Sequence, residues 1–366
     1  MPLPRALFKV TPEDFVVDEV DAYAATGTGS HTLVRIRKRG LTTDGALQRI
    51  ARALGVDPRA CGSAGLKDKE AVTTQRLSLP DVDPAAALAL AGTWDDLAIL
   101  EATRHGNKLK PGHLRANRFS IVLRAIEPAQ VEAVRAALAR IATIGCPNAF
   151  GPQRFGRDGQ NAERALAFVR GEARPPRDAR ERRFLFSALQ SRWFNRVLAA
   201  RVADDTWTVP LLGDLLKKHD SGGMFLCADE ATDRARAIAF ELSPTGPIFG
   251  AKMPEPGAAV LAREQEALAE DRIEMHHLVQ NRALGEGTRR SLRLLVEGLT
   301  VELLPESPGD LRVTMTLPKG AYATTVLGGV VELQEPPRDR GPTATEARPA
   351  VDAEGGETPP DPDAEP

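Results

Sequence analysis

Gly65-Leu66-Lys67-Asp68-Lys69-Glu70-Ala71-Val72-Thr73-Thr74-Gln75 is the stretch on which the reading of this chain turns. It separates a small-residue run ending in Ala64-Gly65 from an alternating run over 74–79, which predicts a loop between two strands. Gly65 allows a sharp turn, and Asp68 is then presented on a strand-connecting loop, where catalytic groups are carried on a rigid scaffold. In an extended loop Lys67 and Lys69 point away from Asp68. The two lysines are therefore expected to meet a polyanion while the carboxylate faces a pocket, with Glu70 on the solvated side. Taken alone, the charged string also fits a solvated turn.

Upstream, Thr11-Pro12-Glu13-Asp14-Phe15 runs from a proline turn into a short strand, with Lys9 and Phe15 on either side of the turn. Residues 31–38 alternate, Val34 and Ile36 on one face and Arg35 and Arg37 on the other, as in a half-buried strand with a basic face. Thr43 is read as the cap of a helix in which Leu47, Ile50 and Leu54 recur at helical spacing, and Gly55 closes it. Downstream follow an alanine-rich helix near 83–90, a strand near 97–103, and a segment from Arg104 to Phe119 in which cations and imidazoles alternate with turn formers. That segment fits either a solvated hairpin loop or a phosphate-contacting loop leading to Asn117, whose amide can read a base edge. Residues 128–144 form an amphipathic helix with Val131, Val134, Leu138 and Ile141 on one face.

From Gly145 the texture changes to a glycine-rich turn and long helical stretches near 162–170, 181–202 and 262–284, with an apolar pattern of their own. This block reads as an inserted domain, and Arg154, Arg157, Arg182 and Arg183 near its entry are candidates for phosphate contact. Strand texture returns at 300–304 and 311–317, and Gly320-Ala-Tyr322 opens the last element. After Glu335 almost nothing apolar remains, so the tail is expected to be disordered and dispensable.

A chain of 366 residues with 42% hydrophobic content suggests two domains plus extensions. No apolar run is long enough to cross a bilayer, and the first nine residues hold no apolar leader core, so no membrane or secretory route is expected. The 3 cysteines, Cys61, Cys146 and Cys227, are far apart and form no CxxC pair, which argues for a reducing cytoplasm and against structural zinc. His276-His277 lacks a glutamate spaced to share a metal, and Gly27-Thr-Gly29 lacks the third glycine of a dinucleotide loop. The net charge of -2 hides an uneven distribution: without the acidic tail from Pro337 the chain is mildly basic, so any RNA surface must come from local clustering.

Five separated blocks, TPEDFVVDE, AGLKDKEAVTTQ, RHGNKLKPGHLRANRF, PNAFGPQRFG and LPKGAYATTV, occur in an order that resembles the tRNA pseudouridine synthase D family. The resemblance implies an α+β chain with the pseudouridine synthase fold, a mixed, mainly antiparallel sheet with flanking helices, interrupted by an inserted α/β domain. On this chain it implies a catalytic domain over 1–145 and 291–336, the insertion over 146–290 and the tail over 337–366; the insertion is expected to fold as a distinct unit and to form one wall of an RNA cleft. It further implies isomerisation of uridine 13 in tRNA to pseudouridine without cofactor or metal, Asp68 as the catalytic carboxylate, and a uridine pocket of Phe15, Asn117, Phe119 and Tyr322. Many members carry Phe at the place of Tyr322. Lys9 is the candidate cation that holds Asp68 ionised. A monomer acting on tRNA is expected. Two other readings stand beside this one: a noncatalytic RNA-binding or chaperone protein of the same fold, and a carboxylate glycosidase drawing a second acid from Glu70 or Asp18.

Overall fold

The computed structural model describes residues 2–156 and 158–336; the expectations for Arg157 and for the tail from Pro337 lie outside the described residues. Among these, the chain divides into two compact units, one holding residues 2–136, 297–321 and 330–336 and the other residues 137–296 and 322–329. The second unit thus extends beyond 146–290 at both ends and takes in the segment that opens with Tyr322.

In the first unit a sheet of 8 strands runs in the order Glu297–Leu303, Leu311–Pro318, Leu114–Leu123, Phe15–Asp21, Val72–Pro80, His31–Arg39 and Leu97–His105, with Gly62–Ser63 pairing Val72–Pro80 off this path. Its neighbours pair antiparallel except Phe15–Asp21 against Val72–Pro80, which is parallel. The alternation of His31–Arg39 buries Val34 and Ile36 fully and leaves Arg37 exposed. On the buried side lies the helix Thr43–Leu54, whose Ala46, Ile50 and Ala51 pack against Val34, Ile36, Leu77 and Leu79. Each such fully buried Ile or Leu contributes on the order of 1.5–3 kcal/mol. The helix is capped by Thr42 rather than Thr43: the Thr42 hydroxyl accepts from the Gly45 amide at 3.0 Å, and Gly55 ends the helix at φ 67°. Thr43, one residue inside, turns into the core instead.

Register carries that helix-covered face across the sheet. Val17 lies opposite both Thr73 and Phe119, so Phe15, Val17, Glu19, Asn117 and Phe119 share a face with Thr73 and Gln75. The same face therefore holds an apolar core under the helix at one end and a largely buried cluster of polar and aromatic side chains at the other.

In the second unit the helices Asn161–Val169 and Ala179–Ala203 bury Leu166, Phe168, Leu185, Phe186, Leu189 and Trp193 together with Phe249 and Leu268. Beside them a 4-stranded antiparallel sheet runs in the order Met224–Leu226, Leu215–Lys218, Leu242–Ile248, Thr288–Ser291. The helix expected over 262–284 is two helices, Ala258–Ala269 and Met275–Gln280. Between them Arg272 sits at φ 50°, and the neighbouring Asp271 is turned inward to accept from the Trp193 indole at 2.8 Å and from Arg192 at 2.7 Å. A buried carboxylate that satisfies three residues of another helix, Arg196 among them, outweighs the local preference for one continuous helix.

Candidate active site

The loop of residues 64–71 joins Gly62–Ser63 to Val72–Pro80 and is held from beneath. The chain does bend at Gly65, but without the left-handed backbone that favours glycine, and a Cβ there would meet only the Lys67 ammonium, at 3.9 Å. Hydrogen bonds shape the loop instead. The Gln75 amide donates to the Gly65 carbonyl at 3.2 Å, the Thr43 hydroxyl donates to Gln75 at 2.9 Å, and the Lys67 amide donates to the Thr43 hydroxyl at 2.9 Å.

The two lysines beside Asp68 take different courses. Lys69 is exposed, as expected. Lys67 turns inward and pairs with Glu19 at 2.7 Å, the two side chains only 7% and 2% exposed, so it is not available to a polyanion. The other oxygen of Glu19 accepts from the Arg76 amide at 3.1 Å, so each oxygen of the buried carboxylate has a donor. Glu70 is half-buried rather than solvated, and its amide donates to Asp68 Oδ1 at 2.9 Å.

Asp68 is bound through its other oxygen, Oδ2, by the Lys9 ammonium, while its side chain stays 34% exposed. Lys9 has φ 55°, a left-handed conformation uncommon for a residue with a Cβ, and its side chain is only 11% exposed. The turn that presents it is braced by Arg124, which bridges Asp14 at 2.6 Å and Asp310 at 2.8 Å. Lys9 also lies 3.8 Å from Glu335 and 4.6 Å over the Phe15 ring. Burial pushes the Asp68 carboxyl up, but the hydrogen bond and charge of Lys9, the Glu70 amide and the charge of Lys38 pull harder, leaving it below the ordinary carboxylate range. The site thus holds an ionised, partly open carboxylate.

Phe15 and Phe119, 6% and 8% exposed, meet edge to face at 6.1 Å. Asn117, on the same face as Phe119, has a buried side-chain oxygen with no hydrogen-bond partner. Asp68, Lys9, Phe15, Asn117 and Phe119 all belong to the first unit. Tyr322 belongs to the second, where it precedes the helix Ala323–Gly328 and is 42% exposed. In the 104–119 segment Lys108 donates to the Arg59 carbonyl at 2.9 Å, whereas Lys110, Arg115 and Arg118 are exposed. Among the described residues no group of three or more His, Cys, Asp or Glu could hold a metal ion, and no helix is long and apolar enough to cross a membrane.

One residue at the site escapes a motif-based reading. Lys38 is fully buried beneath the loop and donates to the Leu41, Asp68 and Lys67 carbonyls at 2.6, 2.8 and 3.4 Å. Its signal in the sequence is parity: it continues the apolar face of Val34 and Ile36, where a lysine is out of place.

The chain matches the family described as tRNA pseudouridine synthase D (TruD) over residues 5–174 and 178–330. It is 48% identical over 322 residues to the tRNA pseudouridine synthase D of Anaeromyxobacter sp. (strain Fw109-5), covering 87% of this chain and 90% of that protein. Against a tRNA pseudouridine synthase D of Thermus thermophilus the identity is 39% over 326 residues, covering 89% and 88%. A crystal structure of a putative tRNA pseudouridine synthase D from Methanosarcina mazei superposes with a TM-score of 0.77 at 21% identity, over 90% of this chain and 94% of that one, and shows the same fold.

Proposed function

Because the chain belongs to the tRNA pseudouridine synthase D family, we propose that it isomerises uridine 13 of tRNA to pseudouridine and that Asp68 is the catalytic carboxylate. The observation that carries this reading is the pairing of Lys9 with a partly open Asp68 beside the Phe15 and Phe119 rings.

The reaction breaks the N1–C1′ bond of the nucleoside and forms C5–C1′; the proton on C5 is lost and N1 regains one, so no oxidant or reductant is consumed. An ionised carboxylate at C1′ serves as nucleophile toward the sugar or as base for a neighbouring sugar proton, and both roles require the negative charge that Lys9 maintains. A uridine within a stem must leave the stack to be reached. Phe15 and Phe119 are assigned to receive the uracil, and Asn117, whose side-chain oxygen has no hydrogen-bond partner among the described residues, to accept a hydrogen bond from its edge.

Single-turnover pseudouridine formation on unmodified tRNA, with the product mapped by position, tests the reading. Asp68→Asn preserves size and removes the charge, so tRNA binding is expected to persist while product formation falls by roughly three or more orders of magnitude. Wild-type turnover in that variant, or product only at positions other than 13, would overturn it.

A further inference from the structure

A lysine fully withdrawn from water normally ends on a carboxylate, because an unpaired buried charge is expensive. Lys38 ends on three backbone carbonyls from two separate segments: Leu41, just before the helix Thr43–Leu54, and Lys67 and Asp68 in the loop. Its neighbours along the strand, Val34 and Ile36, are equally buried and apolar, so stability alone would favour another apolar side chain here. The nearby carboxylates are already engaged, Glu19 by Lys67 and Asp68 by Lys9. What the ammonium adds is a fixed tie between the helix entrance and the backbone that carries Asp68.

We propose that Lys38 is a positioning residue for the reaction: its buried ammonium grips the Lys67 and Asp68 carbonyls and thereby sets where the Asp68 carboxylate stands. The inference rests on the catalytic reading of Asp68. A neutral amine has two N–H groups for three carbonyls, so loss of the proton costs the tie one contact. The charged groups that bear on Lys38 are Asp68 and Lys67, with Lys9 acting through Asp68. Burial pulls the amine down to about 8, the charge of Asp68 raises it and that of Lys67 lowers it.

The sign of the linkage separates positioning from stability. Between about 8 and the ordinary value of 10.5 the unfolded chain holds a proton at this lysine that the folded chain has lost, so this group makes folding more favourable as pH rises through that window. A fall in rate over the lower part of the window, without loss of thermal stability, is therefore not unfolding. In single-turnover assays with the full chain, Lys38→Met is expected to lower the rate at saturating tRNA about 100-fold, as a displacement near an ångström can do, with tRNA affinity within about twofold of wild type. The wild-type rate is expected to decline above about pH 8 while its melting temperature holds, and the protection of the Glu70 amide, taken relative to its base-catalysed intrinsic exchange, to fall over the same range. These pH measurements need no variant and decide the matter even if Lys38→Met fails to fold. A wild-type rate and amide protection that stay flat from pH 7 to about pH 9, or full activity in Lys38→Met, would overturn the inference. Full activity in Asp68→Asn overturns the catalytic reading itself, whereas an inactive Asp68→Asn beside a fully active Lys38→Met overturns only the role of Lys38.

Discussion

Both units bury charge, and the neighbourhood of Asp68 in the first does so in the opposite way to the core of the second. In the second, Arg289 grips Glu264 with two hydrogen bonds of 2.7 and 2.6 Å, the side chains 0% and 3% exposed, and Arg201 grips Asp214 with two of 2.9 Å. The spare donors of both arginines go to nearby carbonyls, those of Thr245, Thr206 and Val209. Every oxygen and nearly every N–H is consumed, so nothing is left for a ligand. In the first unit Arg124 forks onto the buried Asp14 in the same manner, but around Asp68 the cations are lysines, which are point charges without a fork. Lys67 closes on Glu19, Lys38 spends itself on carbonyls, and Lys9 takes one oxygen of Asp68 while leaving the carboxylate 34% exposed. A planar guanidinium seals a carboxylate; lysines acting from below and from one side hold a carboxylate charged and still reachable. On the catalytic reading of Asp68 proposed above, the difference separates buried charges kept for structure from one kept for chemistry.

The largest effect that would sharpen this contrast is at Arg289. Arg289→Met should destabilise the second unit by about 3–5 kcal/mol, because Glu264 is left charged and unpaired, as read by urea unfolding followed through the buried Trp193. Burial outweighs the pull of Arg289 and leaves the Glu264 carboxyl above its ordinary range, and a buried ion pair is commonly matched by apolar side chains of similar volume. The double variant Arg289→Met with Glu264→Leu should therefore be less destabilised than Arg289→Met alone; an equal or greater loss would mean that the pair is net stabilising. Next in size, Lys67→Met leaves the buried Glu19 with one partner fewer and should cost about 2 kcal/mol, with a fall in pseudouridine formation as well. Unchanged turnover in a stable Lys67→Met would break the comparison, by showing that the first unit's buried cation is as purely structural as those of the second. The smallest expected change is Thr42→Ala, which removes the cap of the helix beside the loop for about 1 kcal/mol; its thermal midpoint should drop while turnover at a temperature well below it stays near wild type.

How far the site was legible follows from the range of each interaction. The loop between two strands, the alternation of residues 31–38 and the closure of the first helix at Gly55 are all written in neighbouring residues, where strand period, helical spacing and a left-handed glycine act locally. The neighbours of Asp68 are another matter. Alternation along an extended loop turns Lys67 away from Asp68 toward a polyanion, yet Glu19 draws it inward across 48 positions of the chain. The split of the 262–284 stretch into two helices depends on Asp271 finding Trp193 across 78 positions. Local pattern contains no trace of either partner.

The sequence by itself determined the strand and helix rhythm, the class of fold and the position of the carboxylate in its loop, because these depend on residue type at short spacing and on blocks of side chains that resemble a known family. Only the tertiary structure decided which cations serve that carboxylate, that Lys38 lies beneath its backbone, and that Tyr322 belongs to the second unit. Those outcomes depend on burial and on hydrogen bonds between residues far apart in the chain, where the cost of leaving a buried charge or carbonyl unsatisfied outweighs any local preference.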